Sequence, residues 1–322
     1  MPAAPSSIAP LTGVDFYSQQ ALNRRRTVLL LACFIAFLMT LGLGLDSVWG
    51  GFLSPRGERL PFVTLVAAAF ALAMSVSAYY RGDRLVMASL LARPLQLDDP
   101  AQRQLHNVVT EMALACGLPQ PQVYVIPDPA PNALATGRDP QHAALAVTQG
   151  LLNLLDREET QAVIAHEMAH IGNRDTLTMT LVGVLFGGAV MLSDWARRAL
   201  FVGGERRRGN IISFVVVLLL VAISPLLSRL LAMAVSRQRE YLADATAAQL
   251  TRNPVGLASA LEKIGAATSP LKAATRGTAH LFISNPLRRG VDDRQGYLAD
   301  LMSTHPPLGQ RIAILRAMAH SS

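Results

Sequence analysis

Charge and cysteine are both scarce in this sequence. Only 16% of its 322 residues are charged while 51% are hydrophobic, which is apolar for a water-soluble protein and leans towards a membrane. The two cysteines, Cys33 and Cys116, lie far apart without a CxxC partner, which excludes a disulfide framework and a cysteine metal cluster. Any metal must therefore be held by His, Glu or Asp. No internal repeat, low-complexity tract or nucleic-acid motif is found. The net charge of +7 comes almost wholly from arginines clustered beside apolar runs, a pattern that suits an anionic lipid surface better than nucleic acid.

Four segments lack charge for about the 20 residues that a membrane helix needs: 27–45, 60–80, 176–193 and 211–228. The first two, joined by a short link holding Gly50, Gly51, Pro55 and Gly57, read as a transmembrane hairpin. A cleaved signal peptide is the rival for the first, but 23 residues precede its arginines and no small-x-small cleavage site follows. Arg24, Arg25 and Arg26 before the hairpin and Arg81, Arg84 and Arg93 after it outnumber Arg56 and Arg59 in the link, so both ends are expected in the cytoplasm.

The second pair is harder to place, because Arg197, Arg198, Arg206, Arg207 and Arg208 lie between its members. These helices either depart from the charge rule, dip into the membrane without crossing, or form the core of a soluble part. The polar segment 94–175 reads as a helix ending at Gly117, then strands in "QVYVIP", "NALATG" and "AALAVTQG". A second helix follows, with Asp156, Glu158 and Glu159 gathered at the positive end of its dipole. The C-terminal polar part reads as mostly helical, broken by a loop over 269–296.

The chemistry-bearing stretch is "HEMAHIGNRD", 166–175. On a helix His166 and His170 are one turn apart on one face, about 5–6 Å between Cβ atoms, so both rings can meet one ion. Glu167 beside them points towards the position of a bound water, the place of a general base. With 7 His in the chain, chance alone yields about 0.004 such strings, so the match is informative. A catalytic zinc wants a third protein ligand. Asn173 and Thr176 stand where a metzincin needs Gly and His, which excludes that class. The glutamates after the motif, where a thermolysin-like third ligand would lie, are Glu205, in the basic loop, Glu262, beside Lys263, and Glu240 in "SRQREYLAD". Glu240 and Asp244 share one helical face, so one can bind the ion while the other holds the second nitrogen of a ligand histidine.

"HEMAHIGNRDT", "SRQREYLADA", "PNALATG" and "STHPPLGQRI", in a chain with apolar segments between the first two, resemble the M48 family of membrane zinc metalloproteases, most closely its heat-shock (HtpX) type. The resemblance runs from the N-terminal hairpin to Arg311. It implies one zinc ion per subunit bound by His166, His170 and Glu240, Glu167 as catalytic base and Asp244 behind the ligands. It also implies Asn132 at an edge strand where substrate backbone docks, with Leu134 where the family usually has Phe. His305 matches a histidine that approaches the metal, either to stabilise the oxyanion or to plug the open position, and Arg311 is a weaker candidate for that neighbourhood.

The fold expected is mainly α: a helical gluzincin-type metalloprotease domain with a small β-sheet, an N-terminal transmembrane hairpin, and a second apolar helix pair inserted between the zinc-ligand motifs. The expected division is a cytoplasmic tail (1–26), the hairpin (27–80), a first catalytic part (94–175), the second apolar pair (176–235) and a second catalytic part (236–322). The expected activity is a zinc-dependent endopeptidase. It would sit multi-pass in a bacterial inner membrane with its active site facing the cytoplasm, cutting misfolded or damaged membrane proteins or other unfolded polypeptides. The rivals are an intramembrane protease, disfavoured by the charges flanking the motif, and a scaffold or chaperone with a structural zinc, which has no need of Glu167.

Overall fold

The structure, a computed structural model, describes residues 16–49, 52–53, 59–185, 237–267, 269–275, 278–286 and 306–321. The chain opens on two long helices, α1 (Phe16–Trp49) and α2 (Phe62–Ser89), connected through the antiparallel pair β1 (Phe52–Leu53) and β2 (Arg59–Leu60). Leu30, Phe34 and Leu38 of α1 cluster with Ala71 and Ala78 of α2. Gly42 lets the backbones meet, since a Cβ there would lie 2.6 Å from the Thr64 Cα. Pro61 offers α2 no side-chain cap, so Asp46 of α1 supplies the acceptors: its carboxylate receives the N–H groups of Val63 and Thr64 and the Thr64 hydroxyl.

From Thr64 to Gly82 the buried positions of α2 are small or polar, namely Thr64, Ala71, Ser75, Ala78 and Gly82, while Phe62, Leu65, Val66, Phe70 and Leu72 face outward; Val86 and Met87 are buried in its last turn. Among the described residues α2 is the one helix long and apolar enough to cross a membrane, with a mean hydropathy of 1.9.

Beyond α2 the described strands form a four-stranded sheet in the order β3 (Arg93–Pro94), β4 (Gln122–Ile126), β6 (Ala143–Thr148), β5 (Ala133–Gly137). β4 and β6 are parallel and the outer pairings antiparallel, which leaves β5 at one edge. Side chains of β5 and β6 alternate between two cores, as the period of two requires. Ala133, Ala135, Leu145 and Val147 join α3 (Pro100–Cys116), α5 (Arg157–Gly172) and α8 (Pro254–Ala266) on one face. Leu134, Ala144 and Ala146 meet Val86, Met87 and Leu90 around the end of α2 on the other. Burial on both faces explains why these strands read as unbroken apolar runs.

The predicted helix ends are present with their caps. Asp99 caps α3 and Gly117, at φ 64°, closes it. Asp156 caps α5 in a reciprocal capping box with Glu159. A short helix, α4 (Gln149–Leu154), precedes α5, and α6 (Asp175–Leu185) follows it. α6 lies between hairpin and sheet, its Thr178 hydroxyl 3.0 Å from that of Thr27 and its Thr180 hydroxyl 2.6 Å from that of Thr136. The rest of the second apolar pair, with its basic loop, lies outside the described residues, as does His305. Among the described residues α7 (Arg237–Thr251) precedes α8, segments 269–275 and 278–286 are irregular apart from a 3-10 turn at Ala279–Leu281, and α9 spans Leu308–Ser321.

Candidate metal centre

α5 carries His166, Glu167 and His170, and is buried on all sides from Ala162 to Ile171. α7 packs against it and supplies Glu240 from its first turn. The two Nε2 atoms lie 3.2 Å apart, with the rings nearly perpendicular at 86°. Glu240 brings Oε1 to 3.5 Å from the His170 Nε2 and Oε2 to 3.9 Å from the His166 Nε2. The ligand atoms of the three buried residues all lie within 4.8 Å of one another.

Each histidine is held from behind. The His166 Nδ1 is 3.0 Å from Asp244 Oδ1, and the His170 Nδ1 is 3.3 Å from Asp175 Oδ2. A carboxylate at Nδ1 keeps the proton there, so both Nε2 lone pairs are directed at one point. Two imidazole nitrogens and a carboxylate converging in a dry site fit a divalent transition-metal ion. The second carboxylate of the "REYLAD" face thus lies behind His166.

Arg311, fully buried on α9, closes the site. Its Nε and Nη2 donate to the two Asp244 oxygens at 2.8 and 2.7 Å, and its Nη1 donates to the Ile283 carbonyl at 3.0 Å and lies 3.4 Å from Glu240 Oε2. Burial alone raises Asp244, but the Arg311 charge and hydrogen bonds overcome it and hold the carboxyl down at about 2. Burial also pulls His170 down, yet Asp175, Glu240 and Glu167 outweigh it and push the metal-free ring up to about 9. Glu167 moves the other way from Asp244: burial, with Glu240 adding, lifts it to about 7 against the pull of His170, Arg311 and the Ala135 N–H.

The cleft beside these groups is lined by Ala135, Met179, Leu281, Phe282 and Ile283. Segment 282–284 lies along the outer edge of β5. Phe282 bridges to Leu134, the Ile283 N–H donates to the Ala133 carbonyl at 2.9 Å, and the Asn132 amide donates to the Ser284 carbonyl at 2.9 Å. Asn132, expected at the substrate edge, therefore binds this segment. The Gly137 N–H is taken by the Thr180 hydroxyl, which leaves Ala135 between the two occupied positions, its N–H turned to Glu167. Among the other expected residues, His166, Glu167, His170, Glu240, Asp244 and Arg311 come together. Asp175, which the sequence marks only as a polar residue at the end of the motif, joins them.

A model of Peptidase family M48 matches residues 99–319. The "Protease HtpX homolog" of Caldanaerobacter subterraneus subsp. tengcongensis is 42% identical over 316 residues, covering 96% of this chain and 99% of that protein. The protein of the same description from Pyrococcus abyssi is 42% identical over 290 residues, or 88% of this chain and 93% of the relative. Among solved structures, that of S. mikatae Ste24p aligns with a TM-score of 0.49 at 18% identity, over 93% of this chain and 67% of that one, too slight a likeness to build on.

Proposed function

The chain belongs to peptidase family M48 and is a metalloprotease, and from that premise we propose a zinc-dependent endopeptidase in which His166, His170 and Glu240 hold the ion and Glu167 moves the protons. The observation that carries this reading is the convergence of three buried donor groups with an ionisable glutamate beside them that none of them needs as a ligand. A zinc ion held there supplies a Lewis acid, able to polarise a peptide carbonyl and to acidify water. Glu167, raised to about 7, is poised for proton transfer in both directions, accepting the proton of the attacking water and returning it to the leaving amine. Arg311 keeps Asp244 ionised, and Asp244 in turn keeps the His166 Nδ1 protonated and its Nε2 aimed at the donor cluster.

Substrate backbone is proposed to dock at Ala135, whose peptide faces the cleft, and sequence demand is low because backbone pairing supplies the affinity. An extended segment longer than one residue on either side has to displace 282–284 from β5. The natural substrates are proposed to be unfolded or damaged membrane polypeptides, and the enzyme to sit in the cytoplasmic membrane with this site on the cytoplasmic side. Two features support that location. As far as Gly82 the outward face of α2 is bulky and apolar while its inward face is small or polar, the inverse of a water-soluble helix. Arg24 and Arg25 at one end of the hairpin and Arg81 and Arg84 at the other are exposed. A structural zinc in a scaffold would leave Glu167 without a role.

The deciding experiment is Glu167→Gln in the full-length purified protein. The variant should retain stoichiometric zinc and lose chelator-sensitive cleavage of an unfolded model polypeptide by at least about a hundredfold. Cleavage at the wild-type rate by the zinc-loaded variant would exclude Glu167 as the base.

A further inference from the structure

The N-terminal helix reaches the metal centre. Asn23, four residues before the apolar stretch that starts at Thr27, is 3% exposed and turned into the protein although its neighbours Arg24 and Arg25 face outward. Its Nδ2 donates to Asp175 Oδ1 at 2.7 Å and to the Asn173 carbonyl at 3.3 Å. The other oxygen of the same carboxylate, Asp175 Oδ2, faces the His170 Nδ1 at 3.3 Å. Asp175 is 1% exposed, and Arg239 Nη1 also approaches its Oδ1, at 3.5 Å.

The two histidines are thus supported by the same two-step pattern from opposite sides. His166 rests on Asp244, which Arg311 of α9 grips through both oxygens. His170 rests on Asp175, which Asn23 of α1 holds through one oxygen while the other is left for the imidazole. A carboxylate anchored at Oδ1 cannot turn freely about its Cβ–Cγ bond, so Oδ2 stays on the imidazole and the Nε2 stays on the donor cluster. Outer partners of this sort commonly set metal affinity by about 10–100-fold.

We propose that Asn23 and Asp175 are positioning residues of the metal centre, through which the first helix of the hairpin orients His170. This rests on the reading of His170 as a metal ligand. Its consequence is that the hairpin is part of the catalytic apparatus as well as an anchor.

The experiment measures zinc affinity of the full-length protein in detergent by competition with a chelator of known affinity, together with the visible spectrum of the cobalt-substituted protein. Thr27, one turn further along α1, bonds Thr178 of α6 and touches none of the relay, so Thr27→Val loosens the same helix contact without disturbing Asp175. Asn23→Leu should weaken zinc binding about tenfold and Asp175→Asn by about 10–100-fold, both with an altered cobalt band, while Thr27→Val keeps the wild-type values. Should Asn23→Leu fail to fold, Asn23→Ser carries the same expectation, since its shorter side chain does not reach Asp175. Wild-type affinity and spectrum in a folded Asn23 variant, or an equal loss in Thr27→Val, would overturn the relay. A wild-type chain that binds no zinc would instead remove the metal reading beneath it.

Discussion

Arg311 is a full positive charge with no exposed surface, and its burial is sustained by the carboxylates of Asp244 and Glu240 that it faces, with the Ile283 carbonyl. Removing one partner of such a pair leaves the others charged in a dry site, which typically costs about 3–5 kcal/mol. Arg311→Met should therefore lower the denaturant midpoint severely and release His166 by freeing Asp244. Arg311→Lys should recover only part of the loss, because an ammonium cannot match the two-oxygen grip. The same cluster sets a pH dependence. His170, raised from 6.5 to about 9, stabilises the metal-free fold fully below about 6.5, and that contribution is lost as pH rises through about 9. Glu167, raised from 4.5 to about 7, likewise withdraws stability between those values as pH rises, whereas the contribution of Asp244 persists above about 3.8 and fails only as pH falls through about 2. Burial lowers His166, which therefore gains stability as pH rises towards 6.5 and opposes Glu167 there, so the melting temperature of the metal-free protein should fall from about pH 6.5 to 9. Zinc added at pH 7 should displace about one proton from His170, read from the buffer dependence of the binding heat. No proton release at pH 7 would contradict the raised His170. At this scale the cluster of donor side chains was legible because helical spacing puts His166 with His170 and Glu240 with Asp244 on shared faces. Asp175 was not. Five residues along a continuing helix put it about 140° away from His170, and only the turn at Arg174, φ 56°, brings it back.

Helices and strands were legible wherever a local signal marked an end or both faces were buried. The acidic start of α5 and the Asp99–Pro100 start of α3 show in the sequence, and both carry the hydrogen bonds that such residues make. The order of the strands could not be read, because β4 and β6 pair in parallel across β5 and that pairing depends on cores that assemble from distant helices. β3 also escaped notice, being two residues with no periodicity to detect. Segment 278–286 read as loop and is loop, yet its contact with β5 is tertiary and follows from no local pattern. One element junction is exposed to a direct test. Gly150 lies in the first turn of α4, where the chain passes over Pro129, and a Cβ there would sit 1.9 Å from the Pro129 carbonyl oxygen, a backbone atom that cannot swing aside. The Gly150 N–H donates to the Asp128 carbonyl, and Asp128 in turn receives the N–H groups of Ala130 and Lys272. Gly150→Ala should therefore displace the turn leading into β5, costing about 1–3 kcal/mol in chemical unfolding. Its zinc affinity should suffer less, since the ligands stand on α5 and α7. Stability equal to wild type would mean that the turn yields without strain.

Across the whole molecule, the donor cluster is tied to the apolar helix pair. Asn23 joins the metal cluster immediately before the apolar part of α1, and α6 leaves the site at Asp175 to pack on the hairpin through Leu181, Val182 and Leu185. The ligand cluster is thus tied to the end of the hairpin whose exposed arginines suit an anionic inner surface. At the opposite end lie Asp46 and the β1–β2 link. Were that end at the lipid surface as proposed, polypeptide emerging from the bilayer would meet the cleft without a long excursion into water, and the burial of the donor groups would shield an ion held there. The two native cysteines report on this arrangement without added mutations. Cys33 lies within α1, in the stretch read as membrane-spanning, and Cys116 ends α3 on the catalytic side; both are partly accessible and free. Burial pushes the Cys116 thiol up, so its reaction with a maleimide should quicken as pH rises. In sealed right-side-out vesicles a membrane-impermeant maleimide should label neither cysteine. In inverted vesicles it should label Cys116 alone, identified by loss of the signal in Cys116→Ser. Labelling of Cys116 from the outer side would reverse the orientation, and rapid aqueous labelling of Cys33 from either side would remove the first helix from the bilayer.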